Sequence, residues 1–190
     1  TETASDDVAR PDGLVETHGT ELMWGLIHNV HVTKTIGVIT APAGFSKTTV
    51  LKAKHQVTKG SILVEIDNKH SNSTGLIRLI AEELQVNVQM PAWRMLSAIK
   101  KTLRDSGRLL MIDQAHELSP EAFSTIRTIN DLGVPVILAG TARLRDHVND
   151  MSEGSQFYSR VMATLPLEQH LVMGDGGPGA PSHSIDDVLK

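Results

Sequence analysis

The sequence predicts an α/β domain, a five-stranded parallel sheet flanked by helices. Three observations carry that prediction. Between residues 17 and 167, short apolar runs alternate with stretches whose apolar residues recur at helical spacing. Residues 41–48, Ala-Pro-Ala-Gly-Phe-Ser-Lys-Thr, follow the first apolar run and open a helix, and their Lys-Thr end matches the phosphate-loop (P-loop) pattern G-x-x-x-x-G-K-[ST]. A later run, Leu109–Ile112, ends on Asp113. In an open parallel sheet, ligands sit at the carboxyl ends of the strands.

Each element follows from its own pattern. Residues 17–31 place Leu22, Leu26, Ile27 and Val30 on one helical face. Thr35–Thr40 is a short strand leading into the P-loop, and Thr48–Val57 is the helix that leaves it. Ser61–Ile66 is a second strand. Ser73 or Thr74 is placed to cap a helix running through Leu76, Ile77, Ile80 and Leu84. Residues 92–106 form a helix with Leu96, Ile99 and Leu103 inward, and Arg108–Asp113 is a strand. Ser119-Pro120 starts a helix, with Ser as cap and Pro in the first turn. Val134–Ala139 and Val161–Leu167 complete five strands, and the intervening helices imply a parallel sheet covered on both faces. Trp24 and Trp93 are expected to pack inside.

Composition narrows the function classes. A chain of 190 residues with 40% hydrophobic content suits one α/β domain with a sizeable core. Its 18 basic against 22 acidic residues exclude a generally basic nucleic-acid binder but leave room for a local basic patch. The absence of cysteine excludes disulfides and thiolate metal sites. The nine histidines include no H-E-x-x-H pair, so they read as surface or core residues. No apolar run nears the roughly 18 residues of a membrane span and no signal peptide is visible, so a soluble, cytoplasmic protein is expected. Residues 1–13 read as a disordered leader, 14–173 as the folded domain, and the Gly/Pro/Ser-rich residues 174–190 as a flexible tail or linker.

The chemistry concentrates in two places. In the P-loop, Ala41 and Ser46 stand where the pattern has glycine, while Gly44, Lys47 and Thr48 keep the parts that meet charge. Backbone N–H groups across Ala41, Pro42, Ala43, Gly44, Phe45, Ser46, Lys47, Thr48 and Thr49 are the expected cradle, excepting the proline, which has none. Lys47 reaches the outer phosphates and the Thr48 hydroxyl binds Mg²⁺; ATP and Mg²⁺ are the expected cofactors. Ala and Ser are small, but each is strained if its φ must be positive. The second place is Asp113, which would hold the same Mg²⁺ directly or through water. Nucleotide hydrolases of this type usually continue Asp-Glu, the Glu polarising the attacking water, whereas this chain has Gln114. A Gln holds a water but cannot take its proton at neutral pH. Two readings stay open: a chain that binds ATP and barely hydrolyses it, or a Glu replaced deliberately to trap a bound state.

The run Met111-Ile-Asp-Gln-Ala-His-Glu-Leu-Ser-Pro-Glu-Ala122 resembles the Asp-Glu-Ala-x-x-Leu-Ser-Pro-Glu-Ala pattern of the AAA+ ATPases that regulate DNA transposition, the group of the phage Mu B protein. Related ATPases of transposon target selection and secretion systems are similar too. The matching stretches are Ile36–Leu51, Leu109–Leu118, Val134–Leu144 and Gln156–Leu167. The resemblance implies an AAA+ P-loop domain. It puts Thr141 where the family has the polar sensor of the γ-phosphate, usually Gly-Asn. It also makes Arg160, in Phe157-Tyr158-Ser159-Arg160, the arginine finger supplied to a neighbouring subunit's nucleotide. Gln114, Thr141 and Arg160 are thus the expected catalytic group. The implied partners are double-stranded DNA, a transposase, and further copies in an ATP-dependent oligomer or filament.

Two segments offer DNA contacts. Arg94, Lys101, Arg104 and Arg108 recur at helical spacing opposite Leu96, Ile99 and Leu103, with Lys100 at the flank. The polar loop Asp67–Thr74 offers Lys69 to a phosphate, with Asn68, Ser71 and Asn72 as neutral donors. Lys52, Lys54 and Lys59 read as the solvated side of the helix after the P-loop. Aromatic content of 3% argues against base stacking on single strands and favours backbone contact with a duplex. The competing functions are a non-DNA AAA+ ATPase of a secretion or signalling complex and a non-hydrolysing nucleotide-binding scaffold.

Overall fold

The computed structural model describes residues 17–151 and 156–167. The leader, the tail and the outer ends of the expected 14–173 domain lie outside the described residues. Strand and helix alternate: α1 (His18–Thr33), β1 (Ile36–Thr40), α2 (Lys47–Val57), β2 (Ile62–Glu65), α3 (Ser73–Glu83), α4 (Ala92–Leu103), β3 (Leu110–Asp113), α5 (Pro120–Asn130), β4 (Val136–Gly140), α6 (Ala142–Asp150) and β5 (Val161–Pro166). Single 3-10 turns at Ala115–Glu117 and Tyr158–Arg160 precede α5 and β5. All pairings are parallel, in the order β2-β3-β4-β1-β5. Strands β3, β1 and β4 are buried throughout, as parallel strands covered on both faces must be.

The sheet divides the core by the two-residue strand period. Ile36, Val38, Leu110, Ile112, Val136 and Leu138 face α3, α4, α5 and α6. Ile39, Met111, Ile137 and Ala139 face α1 and α2. Parallel pairing puts every strand's carboxyl end at one edge of the sheet. That edge receives the P-loop after β1, Asp113 at the end of β3, and Thr141 after β4.

Element ends differ from the sequence expectation where side-chain chemistry decides them. Neither Ser73 nor Thr74 caps α3: Asn72 does, its Oδ1 accepting the Gly75 N–H at 2.9 Å. Ser73 is already helical and its hydroxyl pairs with Thr125 Oγ1 at 2.6 Å. Gly75 is needed for close approach, since a Cβ there would lie 2.4 Å from His70 Cα. Helix α4 stops at Leu103, leaving Arg104 as its C-cap, and its fully buried residues are Met95, Ile99 and Leu103, with Leu96 only partly covered. Trp24 is buried, but Trp93 is 66% exposed, with the Arg94 guanidinium 5.0 Å from its ring centre. Lys54 is not a solvated lysine. It is 2% exposed, its ammonium lies 4.6 Å from the Trp24 ring centre, and burial holds its pKa below the ordinary lysine value. Helix α6, with Leu144 and Val148 buried, was not anticipated between the last two strands. Among the described residues no helix is long and apolar enough to cross a membrane.

Candidate functional site

The P-loop turns on two left-handed residues, Gly44 (φ 86) and Ser46 (φ 55). Of the two lost glycines, therefore, only one carries backbone strain. Ala41 is fully buried with an ordinary negative φ, while Ser46 takes the conformation that suits glycine. Ser46 is also the N-cap of α2 and makes no side-chain cap bond. By contrast α1 closes its start with a capping box, Thr17 Oγ1 accepting from Thr20 N and Thr20 Oγ1 from Thr17 N. The first N–H groups of α2 have no acceptor within the helix and no cap from Ser46, which suits them to an anion.

The Thr48 hydroxyl and the Asp113 carboxylate, 65 residues apart in the chain, lie in contact. Thr48 Oγ1 donates to Asp113 Oδ2 at 2.5 Å, and Asp113, 2% exposed, accepts the Gln114 N–H on its other oxygen at 2.8 Å. Two adjacent oxygen donors are what Mg²⁺ takes while keeping several waters. The Lys47 ammonium lies on the loop itself, donating to the carbonyls of Ala41 (2.7 Å) and Pro42 (2.8 Å). Gln114 is left-handed (φ 55) and starts the turn that packs against β4. A cleft of about 310 Å³ is lined by the loop from Ala43 to Thr49 together with Gln114 and Thr141. The Thr141 hydroxyl, although it begins α6, caps nothing and is buried without a hydrogen-bond partner. A second cleft, about 370 Å³, shares Gly44, Phe45 and Ser46 with the first and is otherwise lined by the start of α1 and Leu167.

One neighbour was missed in the sequence. His116 lies where β4 ends: a Cβ on Gly140 would come within 3.2 Å of its backbone nitrogen. Burial holds its imidazole below the ordinary range. Glu117, 3.4 Å away, opposes that shift, and the charges of Arg143 and Lys47 reinforce it. Its Nδ1 is buried without a partner. The signal was its place three residues after Asp113, inside the quoted motif.

The structure separates the remaining candidates from this cleft. Lys69 and Asn68 are exposed on the loop after β2. Asp67 Oδ1 fastens that loop by accepting from Lys69 N, His70 N and His70 Nδ1, and the His70 bond holds the Asp67 carboxyl below the usual range. Lys69 lines a cleft of about 500 Å³ with His70 of the same loop and with Arg78, which α3 brings to it. Arg94, Lys101 and Arg104 are exposed, whereas Arg108 is partly covered and lies against Gly60, off the α4 stripe. Arg160 sits at the opposite edge of the sheet. It precedes β5, whose first residue Val161 pairs with Ile36 at the start of β1, while the P-loop follows the end of β1. A five-residue strand separates the two, roughly 16 Å. Arg160 pairs instead with Asp131, Nε to Oδ1 at 2.5 Å.

Phosphate loop, acid-ended third strand and strand order together define a P-loop nucleotide-binding domain. Residues 30–148 match the AAA domain family, so well over half of the chain carries the match and the chain belongs to that family. No curated protein matches it. Among solved structures it is similar to C. elegans PCH-2, at 16% identity and a TM-score of 0.42, over 77% of this chain and 41% of that one. The chain thus spans less than half the length of that relative.

Proposed function

We propose that this chain binds ATP with Mg²⁺ and, as an ATP-bound oligomer or filament, holds duplex DNA without regard to sequence, serving as a regulator of DNA transposition that captures target DNA and activates a transposase. The observation that carries the nucleotide half is the 2.5 Å contact of Thr48 with Asp113 beside a cleft that Thr48 lines with Lys47, Gln114 and Thr141. Bound Mg²⁺ would be held by the Thr48 hydroxyl and Asp113 and would neutralise charge on the outer phosphates. Lys47 would leave the two carbonyls for the β/γ oxygens, and the uncapped start of α2 would supply N–H donors. The buried Thr141 hydroxyl would donate to the γ-phosphate, which gives its orphaned oxygen a partner. Gln114 would hold the attacking water without accepting its proton, so hydrolysis is weak or blocked. The second cleft offers room for the nucleoside.

Support for the DNA half is the motif resemblance, together with Lys69 beside Arg78 and the exposed Arg94, Lys101 and Arg104 on and beyond α4. The test has two arms. MgATP should raise the melting temperature, by the equivalent of about 2.7 kcal/mol at one hundred times Kd, and Lys47→Ala should abolish the gain. With MgATP present, duplex DNA should be retained with an affinity that falls steeply with salt, and no less for an unrelated sequence. No thermal gain with ATP overturns the nucleotide reading and leaves a scaffold. A gain without DNA retention overturns the DNA half and favours an AAA+ ATPase of a secretion or signalling complex.

A further inference from the structure

Phe123 and Arg127 of α5 and its C-cap Asp131, spaced four apart, hold the segment that leads into β5. Phe123 meets Phe157 edge to face, with ring centres 5.2 Å apart and an interplanar angle of 79°. Arg127 Nη1 donates to Gln156 Oε1. Asp131 Oδ1 accepts from Arg160 Nε at 2.5 Å. The spacing puts all three on one side of the helix, where residues i, i+4 and i+8 align. The end of that helix is itself pinned. Asn130, next to Asp131 and 7% exposed, donates through Nδ2 to the carbonyls of Lys34 (3.0 Å) and Val134 (2.9 Å). Asp131 therefore projects from a rigid base.

The guanidinium is held along one edge. Nε goes to Asp131, and Nη1 goes to the Gln156 carbonyl and the Ser159 hydroxyl. Among the described residues Nη2 has no partner, and the side chain is 32% exposed. A planar, always-charged group fixed on two of its three nitrogens keeps a defined direction for the third. The cleft of its own chain lies at the other edge of the sheet, so among the described residues that third nitrogen is left open to another molecule.

We propose that Asp131 is the positioning residue for Arg160, orienting the guanidinium so that its Nη2 edge is offered to the nucleotide of a second copy of this chain. The proposal rests on the reading of Arg160 given above and adds how that arginine is aimed. Preorganisation of this kind removes the need to order a long side chain at the moment of contact. The pair itself is part-exposed, Asp131 being 41% accessible, so its loss should leave the fold almost unchanged.

The test measures ATP-dependent self-association by sedimentation, with the melting temperature of the nucleotide-free protein alongside. Arg160→Ala should weaken association at least tenfold. Asp131→Ala should weaken it several-fold with an unchanged melting temperature, and Asp131→Asn, which keeps an acceptor oxygen, should recover most of the loss. Asp131→Ala added to Arg160→Ala should cost nothing further. An Asp131→Ala protein that associates like the parent, or whose effect persists in full without Arg160, overturns the positioning role alone. Unchanged association in Arg160→Ala, or none in the parent with ATP, overturns the reading of Arg160 and the positioning role with it.

Discussion

At the carboxyl edge of the sheet, Ser46 and Gln114 hold left-handed backbone at the start of a helix and of a 3-10 turn, and Thr141 Oγ1 and His116 Nδ1 are buried without partners. At the amino edge, left-handed Lys34 closes α1 with its N–H on the Val30 carbonyl, and Asn130, Asp131 and Arg160 all bond within the fold. Among the described residues Arg127 Nε is a buried nitrogen left without a partner there. Left-handed backbone is routine where a helix ends and unusual where one begins, since an N-cap normally takes an extended conformation. The same backbone geometry thus means ordinary closure at one edge and stored strain at the other. Strain together with unsatisfied polar atoms marks the edge that awaits a ligand.

The largest test of that contrast is Gln114→Glu. If the carboxyl edge lacks only a proton acceptor, turnover should rise on the order of 10²–10⁴-fold, measured as phosphate release at saturating MgATP. No rise would place the defect elsewhere, at Ser46 or Thr141. A paired comparison comes next. Asn130→Ala leaves two carbonyls without their donor and should destabilise the fold by about 2 kcal/mol in urea unfolding, with nucleotide affinity unchanged. Thr141→Val removes a hydroxyl that has no partner, so it should cost little stability while weakening nucleotide binding. The reverse pattern would erase the distinction between the edges. The smallest effect is that of Ser46→Gly. Relief of the positive φ is worth roughly 1–2 kcal/mol, and the greater freedom of glycine in the unfolded chain offsets about 0.4–1 of it. A net gain of about 0–1.6 kcal/mol is expected, and a loss would mean that the Ser46 side chain holds the loop in some way its missing cap bond does not reveal.

Most of the fold was legible because its signals are local. All five strands and the helices apart from α6 followed from local signals, namely apolar runs and spacing, the Ser119-Pro120 start of α5 and the place of α2 after the P-loop, and strand ends moved by at most two residues. Asn72 was passed over as the cap of α3 because Ser73 and Thr74 are equally good caps by type, and only the chain's path over His70 selects between them. Trp93 and Lys54 were misplaced for a related reason. Residue type predicts burial on average, but Trp93 lies on the outer side of α4 while Lys54 lies under Trp24. Of the site, Lys47, Thr48 and Asp113 were readable from spacing, while His116 and Arg78 join their clusters through other elements.

By itself the amino-acid sequence determined the alternation of elements, the phosphate-loop pattern that ends in Lys47 and Thr48, and the acid that ends β3, because these depend on neighbours within a few residues. The tertiary structure alone decided that β1 lies between β4 and β5, that Thr48 and Asp113 touch, and that Arg160 is turned away from its own cleft toward Asp131. Those outcomes depend on strand order and register. Both come from hydrogen bonds and packing between segments far apart in the chain, which no local pattern encodes.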